Sequence, residues 1–399
     1  MSRITVSLLA VFVSVAAFAQ ADFTIVALPD TQYYSAHFPA TFAAQTQWIV
    51  DNKAKENIQL VIGLGDIVDN GGDLAQWENA NAAISKLDGV VPYVLPLGNH
   101  DYDQDDQAPL KRLVKNFNSY FGPVRYAGTS HYAGNFKGSN ENFYAIANLG
   151  GKDRLILLLE FNPRDAAINW AKSILAKYPG LDTFIVTHTY GYSNDRITTC
   201  DSTASETYGL NEDNDGQELW EKLVSKYANI SLVLSGHVVA SNGVGRRADY
   251  GTNGNLVNQI LSDYQNYANG GDGWMRIMRF HPSQNRLDVT TYSPTRNQNL
   301  LDGANQFSVP IRASVNGSTG TIKGKVTDNA ICKELGGATV SDNYGHSTVT
   351  DGLGNYTLSG VPVGARNITA KKTGFAAKTK SVLVKPTAPA NAKFSLKIQ

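Results

Sequence analysis

Five short apolar runs in this chain each end in residues that can bind a cation or move a proton. Phe23–Leu28 leads into Asp30-Thr31-Gln32, and Leu60–Leu64 into Gly65-Asp66-Ile67-Val68-Asp69. Tyr93–Leu97 leads into Gly98-Asn99-His100-Asp101, Thr183–Thr187 into His188, and Leu232–Leu234 into Ser235-Gly236-His237. Carboxylate, amide oxygen and imidazole without thiolate form a donor set for hard or borderline divalent metals. Glycines beside Asp66, Asn99 and His237 allow the sharp turns that aim such side chains inward. Taken singly, an Asp of this kind caps a helix and a His sits hydrogen-bonded in a core. Five strand ends of the same chemistry argue jointly for a site. A nucleophilic serine is disfavoured, because no Gly-x-Ser-x-Gly elbow stands at a strand-to-helix turn. A dinucleotide fold is disfavoured because the first run lacks a Gly-rich turn. The acidic stretch with Asp195, Asp201, Asp213 and Asp215 has no EF-hand spacing.

The elements that position these residues alternate. The apolar runs named above, together with Leu155–Phe161, read as strands. Helical periodicity falls between them, around Thr41–Ala54, Leu74–Leu87, Leu110–Phe121, Asp165–Tyr178 and Gln217–Tyr227. Continuous apolar strands separated by helices predict an α/β sheet covered on both faces, with ligands at the strands' carboxyl edge. Trp274–Phe280 and Arg286–Tyr292 read as further strands. Asn316–Gly320 reads as a linker within 313–320. Beyond it, short alternating strands with turns at Asp351–Gly354 and Pro362–Gly364 predict a small all-β sandwich over 321–399.

The 399 residues carry 35 basic and 35 acidic side chains and 42% hydrophobic residues, which excludes a disordered chain. Two cysteines, Cys200 and Cys332, are too few for a disulfide scaffold, and a bridge between them is left open. From Gly320 onward there are 11 basic and 4 acidic groups, so the first 319 residues hold 24 and 31. The two parts therefore have opposite surface charge. No nucleic-acid motif is present. Arg3, the uncharged run Val6–Ala19 and the small residues Ala17, Ala19 and Ala21 form a signal-peptide pattern over residues 1–21. That run is too short to span a bilayer, and no later one is longer, so a secreted or periplasmic protein without a transmembrane segment is expected.

The order Asp-x-Gln, Gly-Asp-x-x-Asp, Gly-Asn-His-Asp, His, Gly-His resembles the calcineurin-like metallophosphoesterases over roughly Asp22–Ser293, taken as a domain over 22–312. The stretch Asp263-Tyr264-Gln265, Gly270-Gly271 and Thr291–Pro294 resembles a secreted bacterial branch of that superfamily. The resemblance implies a β-sandwich of two mixed sheets flanked by helices, in place of a purely parallel sheet. It implies an exported phosphoesterase that hydrolyses phosphate mono- or diesters by attack of a metal-bound hydroxide. Two divalent ions (manganese, iron, zinc, magnesium or calcium) are implied as cofactors. Asp66 would bridge them, Asn99, His188 and His237 would complete the second site, and Asp30 would belong to the first. Gln32 stands where the superfamily usually has His, and Val239 where Gly-His-x-His would place another, so the first site is expected to be weak. His100 would be the general acid, with Asp69 and Asp101 either orienting ligands and holding His100 or serving as ordinary loop caps. His131 is a substrate candidate at the mouth of the site, with a plain surface position as its alternative. Tyr264 and Gln265 follow a strand expected beside the metal strands, where they would meet substrate or the depleted first site. The competing expectation is a metal-depleted fold serving as an extracellular binding protein.

The C-terminal part resembles the carboxypeptidase regulatory-like (transthyretin-like) sandwich through Gly324–Val326, Gly337–Val340, Thr350–Gly352, Gly354–Tyr356, Val361–Gly364 and Lys372–Phe375. Its Lys-rich surface suits an anionic cell-surface polymer, with a solubilising spacer as the alternative.

Overall fold

The computed structural model describes residues 20–103, 111–198, 201, 208–210, 213–253, 255–312, 319–342, 346–362, 364–385 and 388–399. The signal-peptide segment 1–19, Cys200 and linker residues 313–318 lie outside the described residues; Thr319 and Gly320 already stand in a strand.

Among the described residues, sixteen strands build the larger part. In chain order they are β1 (Phe23–Leu28), β2 (Ile58–Gly63), β3 (Tyr93–Val94), β4 (Tyr132–Phe136), β5 (Ser139–Leu149), β6 (Lys152–Leu159), β7 (Asp182–Thr187) and β8 (Gly191–Tyr192). They continue with β9 (Asp195–Arg196), β10 (Ile230–Ser235), β11 (Val244–Tyr250), β12 (Leu256–Ser262), β13 (Met275–His281), β14 (Arg286–Ser293), β15 (Gln298–Leu300) and β16 (Phe307–Pro310). One sheet has the order β15-β14-β13-β1-β2-β3, with β16 also on β14; the other runs β11-β12-β10-β7-β6-β5-β4. β1, β2 and β3 are mutually parallel, as are β12, β10, β7 and β6, and antiparallel strands flank both blocks. Both sheets are thus mixed, as the resemblance implied. The hairpins β4–β5 and β11–β12 had no counterpart in the sequence reading.

Alternation explains the uninterrupted apolar runs. Along β6, Ile156 and Leu158 join the core shared with β1 and β2, whereas Leu155, Leu157 and Leu159 pack with Ile168, Ala171 and Leu175 of helix Asp165–Lys177. Phe184 of the second sheet stacks on Phe280 of the first, ring centres 5.7 Å apart, which fixes the two sheets face to face. Helices Pro39–Asn52 and Leu74–Ile84 bring Phe42, Ile49 and Trp77 into the same core. Asp73 caps the second of these by accepting from the Ala75 amide at 2.9 Å.

Residues Ile322–Leu396 close a separate core between two four-stranded sheets. This small sandwich rests on the larger part: strand Lys378–Val384 packs along β11, Lys378 pairs with Glu221 at 2.7 Å, and Lys393 with Asp195 at 3.2 Å. Cys332 is disulfide-bonded.

Candidate metal centre

Every parallel strand next to the sandwich seam delivers its loop to one edge. Leu28 pairs with Gly63, so Asp30 and Asp66 leave the first sheet side by side. Val186 pairs with Leu234, and Ser235 with Leu261, so His188, His237 and Asp263 leave the second sheet in the same way.

The backbone there is held in conformations the sequence pays attention to. Asp66 (φ 47°) and His237 (φ 73°) both adopt left-handed conformations, which few non-glycine residues do. A Cβ on Gly98 would lie 2.1 Å from Asp66 Oδ1, and one on Gly236 would lie 2.1 Å from Asp30 Oδ1. The glycines therefore permit close approach of neighbouring loops to the carboxylates.

Asp66, His188 and His237 each present a ligand atom, all within 4.8 Å of one another. The His188 ring is oriented by its Nδ1, 2.7 Å from the Leu64 carbonyl. A carbonyl only accepts, so Nδ1 carries the hydrogen and the neutral ring aims a bare Nε2 at Asp66 Oδ2, 3.0 Å away. Two lone pairs converging in a fully buried space require a positive charge between them, either a proton or a metal ion. The residues present therefore fit a metal. Burial disfavours charge on His188, but the Asp66 carboxylate outweighs it and raises the imidazole pKa. Burial likewise pushes Asp66 up, yet His188 and His100 hold it below the ordinary carboxylate range. Burial, then the neighbouring His188 charge, pushes His237 down to about 3, leaving a neutral imidazole suited to ligation. Its backbone amide donates to Asp30 Oδ2 at 2.8 Å, and Tyr208 Oη lies 3.1 Å from its Nε2. Phe161 walls the pair, with ring centres 5.9 Å from His188 and 5.2 Å from His237. Asn99 is buried beside them, 1% exposed.

His100 stands at the rim with a side chain 22% exposed. Its amide donates to Asp66 Oδ1 at 3.0 Å, while its Nδ1 donates to the Asp69 carbonyl at 2.7 Å. The Asp69 carboxylate lies 3.7 Å from the same nitrogen. Asp69 thus holds His100. Asp101 is fully buried and braces two ligand loops: it accepts from the amides of Ile67 (2.8 Å), Val68 (3.0 Å) and Gly98 (2.8 Å). Burial and then the Asp66 charge push Asp101 up to about 7.

At the first site, Asp30 and Gln32 are each 1% exposed. Gln32 Nε2 donates to Asp69 Oδ1 at 3.2 Å, while Gln32 Oε1 and Asp30 Oδ1 have no hydrogen-bond partner among the described residues.

Two expected substrate residues are placed elsewhere. His131 is 7% exposed, with Nε2 against the Tyr93 carbonyl (3.2 Å) and its ring against Tyr126; β3 begins at Tyr93, so this is the opposite end from the metal loops. Tyr264 is 2% exposed and its hydroxyl is committed to Thr291 (3.0 Å) and Asn305 (2.8 Å), so it braces β14 and cannot meet a substrate. Gln265 Oε1 is buried and unpartnered among the described residues. The residue that sequence reasoning missed is Asp263, 1% exposed, which follows β12 beside the His237 strand. The available signal was an Asp at the end of a strand-like run, Leu256–Ser262, that Asn258 and Gln259 interrupt.

The calcineurin-like phosphoesterase family matches residues 23–241, more than half of the sequence. The chain belongs to this family. The carboxypeptidase regulatory-like domain matches residues 321–397. The chain is similar to the uncharacterized protein YvnB of Bacillus subtilis, with 32% identity over 285 residues, covering 70% of this chain and 20% of YvnB. It thus spans a fifth of that relative's length. A probable inactive purple acid phosphatase 27 of Arabidopsis thaliana is 33% identical over 73 residues, 18% of this chain and 12% of that protein. Among solved structures, the purple acid phosphatase PPD1 from yellow lupin seeds aligns with 73% of this chain and 54% of its own, at 14% identity and TM-score 0.43. Among the described residues, no helix is long and apolar enough to cross a membrane.

Proposed function

We propose that the protein is an exported, metal-dependent phosphoesterase acting on phosphate mono- or diesters. The observation that carries this reading is the Asp66–His188 pair, an oriented bare imidazole nitrogen 3.0 Å from a carboxylate oxygen in a buried pocket, with His237 beside it. Asp66, Asn99, His188 and His237 would hold one cation, and Asp30 with Asp66 would begin a second. Bound there, divalent ions supply charge neutralisation for the phosphate and a lowered pKa for the attacking water. The protein's own share is orientation and proton transfer. The Leu64 carbonyl fixes the His188 tautomer, Asp101 fixes the loops that carry Asp66 and Asn99, and His100 delivers a proton to the departing alkoxide. Protonated His100 is stabilised by the carbonyl and carboxylate of Asp69, and its rim position gives a leaving group access.

Export rests on the sequence pattern of residues 1–21. The Lys-rich sandwich spends Lys378 and Lys393 on carboxylates of the larger part, so its charge serves docking first. Binding to an anionic polymer would fall to the remaining lysines. The test is hydrolysis of bis(p-nitrophenyl) phosphate and p-nitrophenyl phosphate by the full chain. Activity should vanish on chelation and return with manganese. A purified chain that holds no metal and turns over neither ester would favour the binding-protein alternative.

A further inference from the structure

Resting on the phosphoesterase reading, we propose that Asp263 is a ligand of the first cation, replacing the imidazole that Val239 removes. Topology brings it there. β12 lies parallel beside β10 with Ser235 opposite Leu261, so the chain leaves β10 toward His237 and leaves β12 toward Asp263 at the same level of the sheet. The Asp263 and Asp30 carboxyls are near enough for the charge of the one to bear on the other. Asp263 Oδ1 accepts from the Gln265 amide at 2.9 Å, and its amide donates to the Gly243 carbonyl at 2.7 Å, which anchor the loop. The other oxygen, Oδ2, has no hydrogen-bond donor among the described residues, and neither has Asp30 Oδ1. Gln32 Oε1 and Gln265 Oε1 are buried and unpartnered in the same way.

Four unpartnered acceptor oxygens, on residues adjoining one strand-end edge, are costly to bury without a positive charge. A metal ion held by Asp30, the shared Asp66 and Asp263, with an amide oxygen of Gln265 or Gln32, satisfies them. Three carboxylates against two divalent ions also leave the buried centre with a small net charge. The consequence is a divided centre. One site is rich in imidazole, from His188 and His237. The other is built from oxygen alone and selects manganese, magnesium or calcium over softer ions. The substitution at Val239 is then a change of metal preference, compensated from a strand further along the chain.

The test is metal stoichiometry. Full-length protein stripped by chelation is titrated with manganese, and bound equivalents are counted by equilibrium dialysis with elemental analysis. Wild type should bind two equivalents. Asp263→Asn, which preserves shape, and Asp263→Ala should keep one, with the affinity for the other falling at least about tenfold, the scale on which even supporting partners of a metal act. The retained equivalent reports a folded second site. Asp263→Ala combined with Val239→His should recover the lost equivalent in part. Two equivalents with wild-type affinity in both single variants would overturn the assignment. A wild type that binds no cation would overturn the phosphoesterase reading and the assignment with it.

Discussion

His100 and His188 are neighbours of the same carboxylate with separable duties. His188 is wholly buried and aims a fixed lone pair at Asp66, so His188→Ala should lose one metal equivalent and nearly all activity. His100 meets Asp66 through its backbone amide, which truncation of the side chain keeps, so His100→Ala should retain metal. Its rate on an ester with a poor leaving group should fall by roughly 10²–10⁴, the scale of general acid catalysis. Full rate in that variant would remove the assigned role. His131 belongs to the fold. Its truncation to Ala leaves the Tyr93 carbonyl unsatisfied and should cost about 1–3 kcal/mol of stability with kcat unchanged, read by urea denaturation. Burial also lowers the His131 pKa. The unfolded chain then binds the proton more readily, so this group withdraws stability as pH falls below its unfolded value of about 6.5. His131→Gln should flatten the loss of urea stability between about pH 7 and 5. His131 was misread because its role comes from Tyr93 and Tyr126, neither of which its own Ser-His-Tyr context reveals.

The loops at the strand ends were the readable part of the element scale. Gly-Asp, Gly-Asn-His and Gly-His are local patterns in which a glycine and its liganding neighbour stand together, and the structure gives the physical reason. Gly98→Ala would drive a methyl group to within 2.1 Å of Asp66 Oδ1, and Gly236→Ala would do the same to Asp30 Oδ1. Both substitutions should lower metal content and activity together while leaving the strands intact by circular dichroism; normal metal loading in Gly98→Ala would show that the loops yield. Asp263 was legible only as part of a motif and not as a ligand, because its place at the centre depends on β12 lying beside β10, a non-local pairing. The β4–β5 and β11–β12 hairpins were missed for a related reason. β4 and β11 are partly exposed, and polar residues such as Asn135, Arg246, Arg247 and Asn258 deny these hairpins the continuous apolar run of a doubly covered strand.

At the scale of the whole molecule, the opposite charges of the two parts find a use in their contact. Asp195 is raised by burial, but Arg247 and Lys393 outweigh that and hold its carboxyl below the ordinary range. Glu221 behaves similarly through Lys378. A chain ending at Arg312 should therefore keep turnover of a small soluble ester, since no liganding residue lies beyond it. It should unfold at a lower temperature than the full chain, by calorimetry, because β11 and these carboxylates lose their cover. The centre itself is tested most directly at Asp66, which both cations would share. Elemental analysis of purified wild type and Asp66→Ala, paired with hydrolysis of bis(p-nitrophenyl) phosphate, should find metal and turnover in the first and neither in the second. An Asp66→Ala protein that keeps its full metal content and hydrolyses the ester at the wild-type rate would contradict the account.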